Sequence, residues 1–337
     1  MLAEQRAEQR IALGPNPGSS GADAAARRLA TIYRAVGLRG NPFTADPGSG
    51  PFVAIPTHAQ AVETLLPWLT GDTGSGLGLV TGAAGSGRSR LMLHLGETLA
   101  ARSGVAVATV HGGGCRTDAQ LLRAIIVALG GEPTGRTGLE LTNGIRAVID
   151  RNRDRIPGRQ TVILIDDATF TGSRMEIVRT LLTSSSGPAI VLFGPPELRE
   201  RIGRRRSLAG SLRDVVTLEP MDREAVSRFL DERIAPLRLE RASPTADRLF
   251  TEDAVTVVAT WSRGNPGALV RIAGECVLEA IASSQTIVDH AVAHRVAREL
   301  TDHARREARL AAAPSNEAAV QTRLLLDLDT ASGEARQ

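Results

Sequence analysis

Lysine is missing from this chain. Its 337 residues include 40 basic ones, and every one is arginine. Cysteine is almost as scarce. Cys115 and Cys276 stand far apart, in no CxxC or ligand spacing, which excludes a disulfide framework and a zinc module and makes a reducing cytoplasm the expected compartment. Aromatics are 3% of the residues, too few for a platform that stacks successive bases. No apolar run reaches the ~18 residues of a membrane span, and no N-terminal signal peptide is visible. The net charge of +3 is too small to argue for nucleic acid without a localised patch. Two explanations of the missing lysine stay open. One is GC-rich codon usage, which also favours Ala and Gly. The other is selection against a reactive amine.

What is present reads as a globular chain longer than one ordinary domain, 42% hydrophobic and 23% charged. Residues 1–29 carry turn formers without apolar period, and 310–337 are rich in Ala, Ser and Glu around Leu324-Leu325-Leu326. Both ends are expected to be flexible. Between them, short apolar runs alternate with helical patterns. Strands are expected at Leu77–Thr81, Val105–Val110, Thr161–Ile165, Ala189–Phe193 and Val215–Leu218. Helices are expected at Arg88–Arg102, Asp118–Leu129, Gly138–Asn152 and Arg174–Ser184. Continuous β-branched runs separated by helices predict an α/β fold with a parallel sheet covered on both faces, over 30–220. After Pro220 the strands stop. Asp222–Ile234, Pro244–Ser262, Gly267–Ser283 and Ile287–Arg309 predict an all-helical second domain over 221–309.

The strongest motif is Gly82-Ala83-Ala84-Gly85-Ser86-Gly87-Arg88-Ser89. It fits the phosphate-loop pattern G-x-x-x-x-G-K-[ST] at every fixed position but one, directly after a strand and opening a helix. Glycines permit backbone conformations in which amides converge, and the helix N-terminus adds its positive end, so phosphate oxygens are expected there. Ser89 is placed to contact a magnesium ion. Arg88 stands where a lysine normally reaches the outer phosphates. Its guanidinium is larger and planar, less suited to act as a point charge in a tight loop. Downstream, Val162-Ile163-Leu164-Ile165-Asp166-Asp167 reads as a buried strand ending in acid. Asp166 suits a carboxylate that holds hydrated magnesium, and Asp167 a group that orients attacking water, one methylene shorter than the more usual Glu.

The order of segments resembles the AAA+ ATPases of the ExeA (type II secretion) and TniB (transposition) group. Several passages over about residues 30–300 carry the likeness: Gly37-Leu38-Arg39-Gly40-Asn41-Pro42-Phe43, the stretch from Ile55 to Glu63, Gly194-Pro195-Pro196-Glu197-Leu198-Arg199, Leu218 to Glu224, and Gly264-Asn265-Pro266. The resemblance implies a P-loop AAA+ parallel-sheet core with a C-terminal helical lid, binding ATP and Mg2+ in a homo-oligomeric ring or filament. Four positions depart from the group's pattern: Arg88 for Lys, Asp167 for Glu, Pro195 for a polar residue and Gly267 for an arginine that senses the outer phosphate. All four are linked to hydrolysis. Arg271, one turn beyond Gly267, is on the same helix face and is a candidate replacement.

Arg199, Arg201, Arg204, Arg205, Arg206 and Arg213 form a cluster with three open readings. In AAA+ assemblies the corresponding region faces a neighbour's nucleotide, which would make Arg213 or Arg206 an arginine finger. A solvated face and a DNA-binding stripe are the others. His111-Gly-Gly-Gly-Cys115 has no partner assignable at useful spacing and reads as a loop near the nucleotide. The favoured expectation is an ATP-dependent assembly or regulatory switch with weak or absent hydrolysis, acting on a protein partner or DNA. An active remodelling ATPase and a scaffold with an empty site are the alternatives.

Overall fold

The computed structural model describes residues 31–44, 52–71, 75–170, 172–183, 187–239 and 248–312, the last few (307–312) as backbone only. The ends expected to be flexible lie outside these residues, except that 310–312 continue the last helix. Leu324-Leu325-Leu326 is likewise outside.

In chain order the elements are α1 (Pro56–Thr70), β1 (Gly76–Gly82), α2 (Arg88–Ala100), β2 (Val105–His111), α3 (Asp118–Ala128), α4 (Gly138–Arg155), β3 (Gln160–Asp166), α5 (Gly172–Leu182), β4 (Ala189–Gly194), α6 (Glu197–Gly203), α7 (Arg206–Ala209) and β5 (Leu212–Leu218), then α8 (Arg223–Ile234), α9 (Glu252–Ser262), α10 (Pro266–Ala282) and α11 (His290–Ala312). The five strands form one parallel sheet in the order β2-β3-β4-β1-β5. Parallel strands need crossover helices, and the continuous apolar runs supply both covered faces. Alternation decides which face each residue joins. Ile163, Ile165, Ile190 and Leu192 pack with α3, α4 and α5. Val162, Leu164, Val191 and Phe193 pack with α1 and α2.

Helix starts follow their caps. Thr117 with Gln120 and Thr137 with Glu140 are reciprocal capping boxes that open α3 and α4. Asp222, Thr251 and Asn265 cap α8, α9 and α10. Three expected boundaries shift. β5 begins at Leu212, so Arg213 is inside the strand rather than just before it. α9 begins at Glu252, because Phe250 bridges Val288 in extended conformation and Thr251 is the cap. The same bridge delays α11 to His290. α6 and α7, two short helices, interrupt the arginine cluster.

A third apolar cluster joins α8–α11 to Tyr33, Leu38, Phe43, Val53 and Ile55. Backbone bonds knit this early segment to the end of α8's turn: Arg39 N–H to the Leu237 carbonyl at 2.8 Å and Leu239 N–H to Gly37 at 2.9 Å. The buried Arg233 of α8 donates from Nε to the Pro42 carbonyl at 3.0 Å. The Asn41–Phe43 passage is thus held by the helical layer while it faces the sheet's C-terminal edge.

The sheet core carries much of the stability. Leu164 is fully buried on β3, whereas Val127 on α3 is 59% exposed. Leu164→Ala is expected to cost about 2–5 kcal/mol and Val127→Ala less than about 0.5 kcal/mol, read from urea unfolding midpoints.

Candidate functional site

All five strands end on one edge. β1 is the switch point, with β4 on one side and β5 on the other. A crevice outside the carboxyl ends at such a point is where open α/β sheets bind ligands. The 82–89 loop leaves β1 there and enters α2. Gly85 (φ +80°) and Gly87 (φ +89°) hold left-handed conformations that side chains rarely adopt.

The loop's carbonyls are held from outside. Arg88 donates to the carbonyls of Gly82 and Ala83. Ser86 N–H closes a turn onto Ala83 at 3.1 Å. Asn265 Nδ2 donates to Ala84 at 2.8 Å, Gly267 N–H to Gly85 at 2.8 Å, and His58 Nε2 to Ser86 at 3.0 Å. Donors from α1, α2 and α10 therefore fix the loop's peptide planes. Because a trans peptide points its C=O and N–H opposite ways, the amides of Ala84, Gly85 and Gly87 turn to the side away from these donors.

Around the loop lies a cavity of about 490 Å³, within the range of small-molecule sites. It is lined by the loop with Arg88, Ser89 and Arg90 and by the apolar side chains of Phe43, Val53, Phe229, Val270 and Leu278. Arg233 and Arg271 also line it, against a single acid among the described residues, Glu275. An apolar slot, a cradle of amides and an excess of guanidinium groups fit a flat ring joined to a polyanion, which is the chemistry of a nucleotide. Arg271, the expected replacement for the lid arginine, is exposed and lines this cavity.

Asp166 is buried at the end of β3 and accepts the Asp167 N–H at 2.8 Å. The strand register places it directly opposite His111, with Nδ1 to Oδ2 at 3.6 Å. His111 therefore has an acidic partner that sequence spacing did not reveal, because the two are brought together only by parallel pairing of β2 and β3. The glycines after His111 have a reason as well. A Cβ at Gly112 would meet the Asp166 carbonyl at 2.8 Å, and one at Gly113 would overlap the Asp167 carboxylate. Asp167 is exposed with φ +48°, a strained conformation for a non-glycine residue. Pro195 leaves β4 between the phosphate loop and the acid pair, and its carbonyl accepts the Leu198 N–H that starts α6.

Arg213 lies elsewhere. It sits at the opposite end of β5, beside Gly76, and donates to the Ser75 carbonyl at 3.4 Å. Within one chain it is not part of the cavity. Arg199, Arg201, Arg204, Arg205 and Arg206 are all exposed, and Arg204 pairs with Glu200 at 3.4 Å. Among the described residues no cluster of three or more His, Cys, Asp or Glu forms a metal site, and no helix is long and apolar enough to cross a membrane.

His58 is the site residue with the least sequence signal. The carbonyl of Ser86 can only accept, so Nε2 carries the proton, and Nδ1 is buried without a hydrogen-bond partner. Burial lowers its pKa from 6.5 to about 4, outweighing the Ser86 bond that raises it, while neighbouring His94 lowers it further. Phe52 stacks between the two imidazoles, 5.9 Å from His58 and 3.8 Å from His94.

Residues 71–202 match the family model described as AAA domain. Solved structures share the architecture at low identity. The ORC1 protein of Aeropyrum pernix in complex with DNA superposes with a TM-score of 0.60 at 16% identity, over 77% of this chain and 69% of that one. The ORC2 protein of the same organism, in ADPNP–ADP complexes, gives 0.57 at 17% identity, over 76% and 70%. Cdc6p from Pyrobaculum aerophilum gives 0.57 at 16%, over 72% and 67%. No curated protein matches the chain. The fold is the AAA+ α/β fold, a five-stranded parallel sheet with flanking helices followed by C-terminal helices.

The depressed pKa of His58 makes stability pH-dependent. The folded state keeps His58 neutral below pH 6.5, where the unfolded chain is protonated. Stability is therefore full above pH 6.5 and falls as pH drops toward 4, by about 3 kcal/mol at most. His58→Gln is expected to flatten that slope in urea unfolding series across this window.

Proposed function

We propose that this chain is an ATP-binding AAA+ protein of the ExeA/TniB type that acts as a nucleotide-dependent assembly or regulatory switch and hydrolyses ATP weakly or not at all. The single observation that carries the reading is the contrast within one site. The phosphate cradle is fully supported, while the groups expected to drive turnover are diverted. Arg88 is engaged with the loop's own Gly82 and Ala83 carbonyls. The short Asp167 carboxylate lies over Gly113. Pro195 offers no side-chain donor, and Gly267 no side chain at all.

In this reading the amides of the Gly82, Ala83, Ala84, Gly85, Ser86 and Gly87 loop, with Arg88, hold the phosphates. Ser89 and Asp166 would hold Mg2+, which suits their oxygen donors and would supply charge neutralisation at the outer phosphates. Asp167 would orient water, poorly. Arg271 would face the outer phosphate from the lid. The apolar slot between Phe43, Val53 and Val270 would take the base. The sites of phosphate and base are joined by residues of the lid, so nucleotide binding is coupled to the lid's position.

The likeness to an ORC1 protein bound to DNA and the exposed arginines of α6 and α7 support DNA or a second subunit as the partner of that face. Arg213, exposed and remote from its own cavity, suits a contact to a neighbour's nucleotide in a ring or filament. The domain limits proposed are 30–220 for the nucleotide-binding part and 221–309 for the lid.

The test is ATP binding and turnover of the wild type beside Arg88→Lys and Asp166→Ala. We expect saturable binding, turnover at least ~100-fold below the ~10 s⁻¹ typical of enzymes, and no rescue by Arg88→Lys, since Asp167, Pro195 and Gly267 remain. Fast magnesium-dependent hydrolysis lost in Asp166→Ala would establish the remodelling ATPase instead. Absence of binding would leave the scaffold.

A further inference from the structure

The first N–H groups of a helix have no partner within it and are normally satisfied by its own cap or by water. At α10 they are used differently. Asn265 caps the helix conventionally, Oδ1 accepting Ala268 N–H at 3.1 Å. Its remaining donor, Nδ2, reaches across to the Ala84 carbonyl, and the orphan N–H of Gly267 reaches the Gly85 carbonyl, both at 2.8 Å. Two carbonyls at the exposed tip of the phosphate loop are thus held by the lid.

The approach is close on both sides. A Cβ at Gly267 would lie 3.0 Å from the Gly85 Cα and 3.2 Å from its carbonyl oxygen. A Cβ at Gly85 would lie 2.5 Å from Asn265 Oδ1. At Gly267, which departs from the arginine of related sequences, no Cβ crowds this approach. Ala83, Ala84 and Gly85 are exposed and belong to no helix or strand, so their peptide planes have little else to orient them.

We propose that Asn265 is a positioning residue for nucleotide binding: its amide, with the Gly267 N–H, latches the lid onto the phosphate loop and turns the Gly85 amide toward the phosphates. The phosphate site is then built from both layers, and lid opening releases the nucleotide by letting the loop's planes rotate. This inference rests on the nucleotide reading above.

Two variants separate latch from cap. Asn265→Ser keeps a capping oxygen but loses the second donor. Gly267→Ala keeps the N–H but adds a Cβ 3.0 Å from the Gly85 Cα, which pushes the lid and the loop apart by a few tenths of an ångström. The probe is mant-ATP, with its dissociation rate followed by stopped-flow displacement in the full-length protein and the Tm of the nucleotide-free protein measured in parallel. Both variants are expected to release mant-ATP ~10-fold faster or more, with the nucleotide-free Tm within ~2 °C of wild type. Unchanged release from either variant, with wild type binding normally, overturns the latch and leaves the nucleotide reading standing. A Tm lowered by more than ~5 °C in Asn265→Ser together with unchanged release from Gly267→Ala makes Asn265 a helix cap only. Failure of wild type to bind mant-ATP removes the nucleotide reading, and this inference with it.

Discussion

The site depends on one constraint: the carbonyl groups of the loop between β1 and α2 must be held outward. A peptide plane is rigid, so fixing its oxygen fixes its N–H on the opposite side. Here the oxygens of Gly82, Ala83, Ala84, Gly85 and Ser86 are all engaged, and the donors come from α1, α2 and α10. No element alone supplies them. The sheet sets where the loop begins, α2 sets where it ends, and the layers on either side set its shape.

That constraint gives the arginine at position 88 a physical role beyond substitution. A lysine ammonium is a compact charge on a flexible stem, whereas a guanidinium is a planar fork with several donors. Arg88 directs one nitrogen of that fork, Nη1, at two carbonyls of its own loop. The positive charge stays beside the cradle, but as a brace. Arg233 and Arg271 add charge to the same cavity, with Glu275 the one acid among its described lining residues. In a chain without lysine, the positive charge lining this cavity is carried by guanidinium groups alone, a distribution suited to holding a polyanion.

The segment around Asn41–Phe43 also lines the cavity. Arg233, buried, donates to the Pro42 carbonyl and lies against the Phe229 ring. Burial and nearby Arg90 lower its pKa, yet it starts so high that the group keeps its charge. The same guanidinium thus supports the apolar slot and adds to the positive potential of the cavity. Across the loop, His58 stays neutral at pH 7 and acts as a fixed donor.

Much of this was legible in the residues. The continuous apolar runs specified a parallel sheet, because only a strand covered on both faces reads that way. The spacing from Gly82 to Ser89 marked the phosphate loop, because its chemistry is local: a strand end, glycines and a helix start. Helix ends at capping boxes were readable for the same reason. What the chain could not state was which distant groups meet. His111 faces Asp166 only through strand register. His58 reaches Ser86 because α1 packs beside α2, and Asn265 reaches Ala84 because the lid closes on the loop. Local signals fix elements and the loop; donors far apart in sequence fix the loop's working shape, and only the packed layers bring those donors within hydrogen-bond distance.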